Sequence, residues 1–110
     1  MHQHRIERIQ EEIKNTVSAF LLFEAFNHHV TRITVTKVIV TRDLGEARVY
    51  YQNHDLKQNP EVQKALGDIR GAVRKYLSSH LSFKSLPKIE FFYDETETEV
   101  DRVNRLFSQI

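Results

Sequence analysis

Arg32-Ile33-Thr34-Val35-Thr36-Lys37-Val38-Ile39-Val40-Thr41, then Arg42-Asp43-Leu44-Gly45-Glu46, then Ala47-Arg48-Val49-Tyr50-Tyr51-Gln52, is the stretch on which the fold turns. Its first third is dense in β-branched residues, which fit a pleated, half-buried surface, and reads as a strand over 32–41. Ile33 and Val35 share one phase while Val38 and Val40 take the other. One extra residue would bring all four to the same face, so a bulge is expected near Thr36–Lys37. Residues 42–46 have turn chemistry. Residues 47–52 then alternate, with Ala47, Val49 and Tyr51 on one face and Arg48, Tyr50 and Gln52 on the other. Two strands this close in sequence predict an antiparallel hairpin.

On the N-terminal side, Ile6, Ile9, Ile13, Val17, Phe20 and Leu21 recur at steps of three and four, predicting an amphipathic helix over 5–24. Asn27-His28-His29, all poor helix formers, are expected to end it. On the C-terminal side, a polar connection leads to Asn59-Pro60-Glu61, which has the residue types of an N-cap, a first helical position and an acidic first turn. The stripe Val62, Leu66, Ile69, Val73, Tyr76 and Leu77 carries helix to about Ser79. Gly67 and Gly71 interrupt it, each costing roughly 1 kcal/mol relative to Ala. Two such residues predict a bend or a change from one helix to another. Leu86-Pro87 opens a third strand in which Ile89, Phe91 and Tyr93 alternate with Lys88, Glu90 and Phe92. Thr96-x-x-Glu99 has the form of a capping box, and Val100, Val103, Leu106, Phe107 and Ile110 form the stripe of a last helix. The predicted class is α+β with a three-stranded sheet, and Ile13, Val17, Val49, Val73 and Phe91 are expected in the core.

With 110 residues, 40% of them hydrophobic, the chain is expected to form one domain over 1–110 rather than two cores or a disordered polymer. No apolar run approaches the roughly 20 residues of a membrane span, and Met1-His2-Gln3-His4-Arg5 lacks the apolar stretch of a secretory signal. The absence of cysteine excludes disulfides, thiolate metal sites and cysteine nucleophiles, and fits a reducing cytosol. Net charge is only +1, but it is unevenly placed. Residues 64–84 carry +4, residues 30–48 carry +2, and residues 94–101 carry −5. Such a layout offers a basic face to phosphate within a nearly neutral chain.

Catalytic chemistry finds no foothold in the sequence. No phosphate-binding glycine motif is present. Ser78-Ser79-His80 sets Ser beside His, but adjacent helical residues point apart. His28-His29 has no partner at metal-ligand spacing, and the acidic block lacks the glycine and oxygen-ligand spacing of a calcium loop. That block reads better as a helix N-terminus carrying favourable negative charge. No catalytic group, metal or cofactor is therefore expected. More informative is the helix after Pro60, where Gly67, Gly71, Lys64, Arg74 and Lys75 fall opposite the apolar stripe. Glycine on a solvent face admits another backbone closely, and basic neighbours supply phosphate contacts. Lys64, Arg70, Gly71, Arg74, Lys75 and Lys84 are the candidate RNA-binding residues. A helix bend with solvated charges explains the same residues about equally well.

Three stretches in order carry a resemblance. Val38-Ile39-Val40-Thr41-Arg42-Asp43-Leu44-Gly45-Glu46-Ala47-Arg48-Val49-Tyr50, then Ala65-Leu66 with Gly71 and Arg74, then Leu86-Pro87-Lys88-Ile89-Glu90-Phe91-Phe92-Tyr93-Asp94, are similar to ribosome-binding factor A, a bacterial assembly factor of the small ribosomal subunit. The resemblance runs from about Arg5 to Ile110. It implies a type II KH-like domain: helix, strand, strand, helix–kink–helix, strand, and a C-terminal helix. It places the kink at Ile69-Arg70-Gly71, with isoleucine where the family has alanine. The proline-containing acidic motif that often follows the family's first helix is absent. The resemblance further implies a non-enzymatic, monomeric, cytoplasmic factor with no membrane partner. Such a factor binds the 30S subunit and its 16S rRNA late in assembly, assists maturation of the rRNA 5′ end and supports growth in the cold. The alternative is a KH-like protein–protein adaptor whose basic face is incidental.

Overall fold

The computed structural model describes residues 2–24, 30, 32–53, 57–83, 85–96 and 99–109. Asn27-His28-His29 and Lys84 lie outside the described residues. Helix α1 spans His2–Ala19 and passes into a wider, π-helical turn over Phe20–Glu24. Ile9, Ile13, Val17, Phe20 and Leu21 are buried, as the three-and-four spacing requires, while Leu22 and Phe23 stand exposed at its end. Strands β1 (Ile33–Val40) and β2 (Glu46–Asn53) form the predicted antiparallel hairpin.

The bulge is where the change of phase demanded it. Register shifts between Val35, opposite Tyr51, and Lys37, opposite Tyr50, leaving Thr36 as the extra residue. Val35, Val38 and Val40 are consequently all buried. The turn is closed by Asp43, whose Oδ1 accepts from Thr41 Oγ1 at 2.7 Å and from Gly45 N at 3.0 Å. Those bonds hold its carboxyl below the usual aspartate range. They also steady Leu44, whose φ of 59° is otherwise unfavourable for a residue with a side chain.

Strand β3 (Lys88–Tyr93) lies parallel to β2, so the sheet order is β1-β2-β3. β2 is therefore central, and its inward residues Ala47, Val49 and Tyr51 are wholly excluded from solvent. The inner face packs against α1 and α2 in one continuous core that contains Ile13, Val17, Val49, Val73 and Phe91, all buried as expected.

Helix α2 (Pro60–His80) begins as its sequence prescribes, with Asn59 Oδ1 accepting from Glu61 N at 2.9 Å and Pro60 in the first turn. It corrects one expectation. The helix runs unbroken for 21 residues, so the anticipated change of helix at Ile69-Arg70-Gly71 does not occur. Neither Gly67 nor Gly71 has a positive φ, and a Cβ built on either meets nothing within 4 Å. The penalty of two interior glycines, about 1 kcal/mol each, is outweighed because Val62, Ala65, Leu66, Val73 and Leu77 form one buried stripe on both sides of them. Gly71→Ala should therefore stabilise the fold by roughly 0.5–1 kcal/mol in denaturant titrations. A loss of stability would restore a special backbone role for this glycine.

Helix α3 (Glu99–Ser108) has no buried residue. Its polar side, Asp101, Asn104 and Arg105, faces a cleft shared with Gln52, Lys57 and Tyr93–Thr96. Val100, Val103, Leu106 and Phe107 lie exposed. Residues 97–98, inside the expected capping box, lie outside the described residues. Thr96 N–H donates to Asp94 Oδ1 at 2.8 Å, and its carbonyl accepts from Gln52 Nε2 at 3.1 Å.

Candidate nucleic-acid interface

Lys64, Gly67, Gly71, Lys75 and Ser78 recur at three- and four-residue steps, so they share the outer side of α2, and all five are exposed. Lys64 and Lys75 carry no side-chain partner among the described residues. Arg70 and Arg74 stand on the flank nearer β3, where each also serves the fold. Arg70 Nη1 lies 2.8 Å from Glu90 Oε2, and Arg74 Nη2 donates to the Leu86 carbonyl at 3.2 Å. A guanidinium has five N–H donors, so one internal bond leaves others for a phosphate. Gly71, Arg74, Lys75, Ser78 and Leu86 together line a shallow open groove. Lys64, Arg70, Gly71, Arg74 and Lys75, the described members of the candidate set, are therefore brought onto one side of α2, with the two arginines partly engaged.

Ser79 and His80 do approach one another, contrary to the expectation that neighbours on a helix point apart. Ser79 Oγ lies 2.9 Å from His80 Nδ1, and both lie 2.9 Å from the Tyr76 carbonyl at the end of α2. The His80 ring also stacks on Tyr76 at 3.9 Å between centroids. These contacts fold the Ser79 and His80 side chains back against the last turn of α2.

In the sequence, Asp94 reads as one member of a solvated acidic block. The structure buries it at the end of β3. Its Oδ2 accepts from Thr36 Oγ1 at 2.5 Å, and its own N–H donates to the Tyr51 carbonyl at 2.7 Å. The bulge residue of β1 and the end of β3 are thus tied together past β2. Burial by itself would raise the carboxyl's pKa, but hydrogen bonds from Thr36 and Thr96, with the nearby Lys37 charge, hold it below the ordinary aspartate value. The folded pKa lies below the unfolded one, so this stabilisation is complete above the unfolded value of about 3.9. It is lost as pH falls through the folded pKa. The wild-type melting temperature should drop more steeply below about pH 4 than that of Asp94→Asn, which should itself be less stable at neutral pH by roughly 1.5–3 kcal/mol. Parallel pH profiles for the two proteins would remove Asp94 from this role.

Two helices packed on one face of a three-stranded sheet, the opposite face open, and a basic helix side beside the last strand define a KH-like α+β protein. Residues 5–107 match the sequence profile of ribosome-binding factor A, and the chain belongs to that family. Ribosome-binding factor A of Pediococcus pentosaceus is 30% identical over 110 residues, spanning 98% of this chain and 95% of the relative. The crystal structure of ribosome-binding factor A from Thermus thermophilus superposes with a TM-score of 0.70 at 16% identity, over 80% of this chain and 93% of that one. A homology model of the Thermus protein, fitted into the cryo-EM map of a 30S–RbfA complex, gives a TM-score of 0.65 at 17% identity, over 76% of this chain and 88% of that one. At such identities the two superpositions carry the fold.

Proposed function

We propose that this protein binds the small ribosomal subunit during its assembly, holds one arrangement of 16S rRNA until the subunit matures, and performs no chemistry of its own. The observation that carries this reading is family membership along nearly the whole chain. The Thermus relative fitted into a 30S complex supports it. The outer side of α2 supports the contact in physical terms. Lys64 and Lys75 are free to meet phosphates, Arg70 and Arg74 add donors at the edge, and Gly67 and Gly71 leave room for an approaching backbone. Recognition of RNA shape rather than base sequence suits such a surface. Affinity that falls once the RNA refolds would let the factor leave.

The finer parts of the reading are assistance to 5′-end maturation of 16S rRNA, a monomeric state, a cytoplasmic location and importance in the cold. Sedimentation tests the central claim. The protein should travel with free small subunits and not with complete ribosomes, and cells lacking it should accumulate 16S precursor with an immature 5′ end. Equal association with both particles would sink the proposal. The adaptor reading is favoured by one observation, the exposed apolar stripe of α3. Filter retention of subunit RNA at moderate salt separates the two, because an adaptor would not hold it.

A further inference from the structure

The face of the sheet turned away from the helices carries a feature that a surface needing only solubility would lack. Lys37, Tyr50 and Phe92 form one cross-strand row, since Lys37 pairs with Tyr50 and Tyr50 with Phe92. The two rings lie side by side, centroids 5.7 Å apart and planes 30° from parallel. Lys37 Nζ sits 4.8 Å from the Tyr50 ring centroid. Phe92 is 41% exposed, and Ile39, at the next outward position of β1, is 43% exposed. The bulge makes this row possible. Without the extra residue Thr36, the alternation that buries Val35 would turn Lys37 inward.

We propose that this row is a stacking platform for single-stranded RNA, with the exposed Phe92 ring receiving a base face, Tyr50 holding the row together between Phe92 and Lys37, and Lys37 meeting the adjoining phosphate. The proposal rests on the reading that the protein binds ribosomal RNA, and adds to it a second surface and a kind of RNA. An exposed aromatic ring on a sheet accepts a base of any sequence, because every base has a π-face. Charge on the face suits a polyanion. Glu46 is paired with Arg48 at 3.3 Å, and Glu90 draws both Arg70 at 2.8 Å and Lys88 at 3.4 Å. Arg70 reaches Glu90 from α2, and on the face itself Lys37, Arg48 and Lys88 stand against two carboxylates. Asp94, which the Lys37 charge also reaches, is buried and held by hydroxyl and backbone donors. An apolar protein partner would have to desolvate Lys37 together with those ion pairs, whereas a single strand sets phosphates against the cations. Duplex RNA hides its base faces and is excluded from the same chemistry.

The test measures binding of a fluorescein-labelled eight-nucleotide oligoadenylate, and of a blunt RNA duplex, by fluorescence anisotropy. Phe92→Leu and Tyr50→Leu keep apolar bulk and remove the ring. Each should weaken the single strand about fivefold or more, with duplex binding and melting temperature unchanged. Lys37→Gln should reduce the salt dependence of single-strand binding by somewhat less than one unit of log–log slope. Should Tyr50→Leu fail to fold, Phe92→Leu decides alone, since its side chain is the more exposed of the pair. Wild-type affinity for the oligonucleotide in Phe92→Leu, or no single-strand binding by the wild-type protein, overturns the platform. So does weakened subunit binding with oligonucleotide binding intact, which would assign the face to a protein. Absence of subunit binding by the wild-type protein defeats the ribosomal reading instead, and the oligonucleotide arm still decides the platform.

Discussion

Phe91→Ala is expected to cost about 3–5 kcal/mol, a large share of the roughly 5–15 kcal/mol that stabilises a typical small domain. Phe91 is 6% exposed and sits on the inner face of β3 opposite Val49, which is 0% exposed on the central strand. Its neighbours in the core are themselves packed and buried, so they relax only partly into the void and lost transfer energy and cavity cost add. The melting temperature should fall by on the order of 10–20 °C. Phe92→Ala, one residue along on the opposite face, should cost about 1 kcal/mol or less, since it removes only a cross-strand pair at a half-exposed position. Equal losses at the two positions would mean that the faces of β3 are wrongly assigned.

Replacing Arg70, Arg74 and Lys75 together by Gln should flatten the slope of log affinity for small subunits against log salt by about two units. Three lost phosphate contacts at about 0.7 each account for that figure. In the fold, Arg70→Gln gives up an exposed ion pair worth about 0–1 kcal/mol, and Arg74→Gln a hydrogen bond to the Leu86 carbonyl worth about 1 kcal/mol. Melting must be measured alongside binding for this reason. Lys64→Gln with Lys75→Gln is the cleaner control, because neither lysine braces the fold. A triple variant with wild-type slope and affinity would make the side of α2 a solvated face only, and would leave the sheet surface to carry RNA contact.

Much of the fold was legible because local chemistry and the tertiary packing agree. The phase change between Val35 and Val38 can be read only as a bulge if both are buried, and both are. Asn59-Pro60-Glu61 starts a helix by short-range hydrogen bonding alone. The glycines were misleading for the converse reason. Propensity weighs each residue within its own chain, whereas α2 is kept helical through both glycines by a stripe buried against α1 and the sheet. The candidate site was legible in part. Spacing places Lys64 and Lys75 on the outer side of the helix, but Glu90 and the Leu86 carbonyl, which engage Arg70 and Arg74, come from a strand and a loop later in the chain.

Composition, periodicity and capping residues determined the element order, the central hairpin, the inward residues of each strand and the basic segment. All of these depend on contacts within a turn or two, or on a period of two or 3.6 residues. The parallel pairing of β2 with β3, the burial of Asp94 beneath Thr36 and the row of Lys37, Tyr50 and Phe92 were decided by the tertiary structure. Each joins residues tens of positions apart. Nothing in a local window distinguishes a carboxylate that finds a hydroxyl across a sheet from one that meets water, or a tyrosine beside a phenylalanine from one that stands alone.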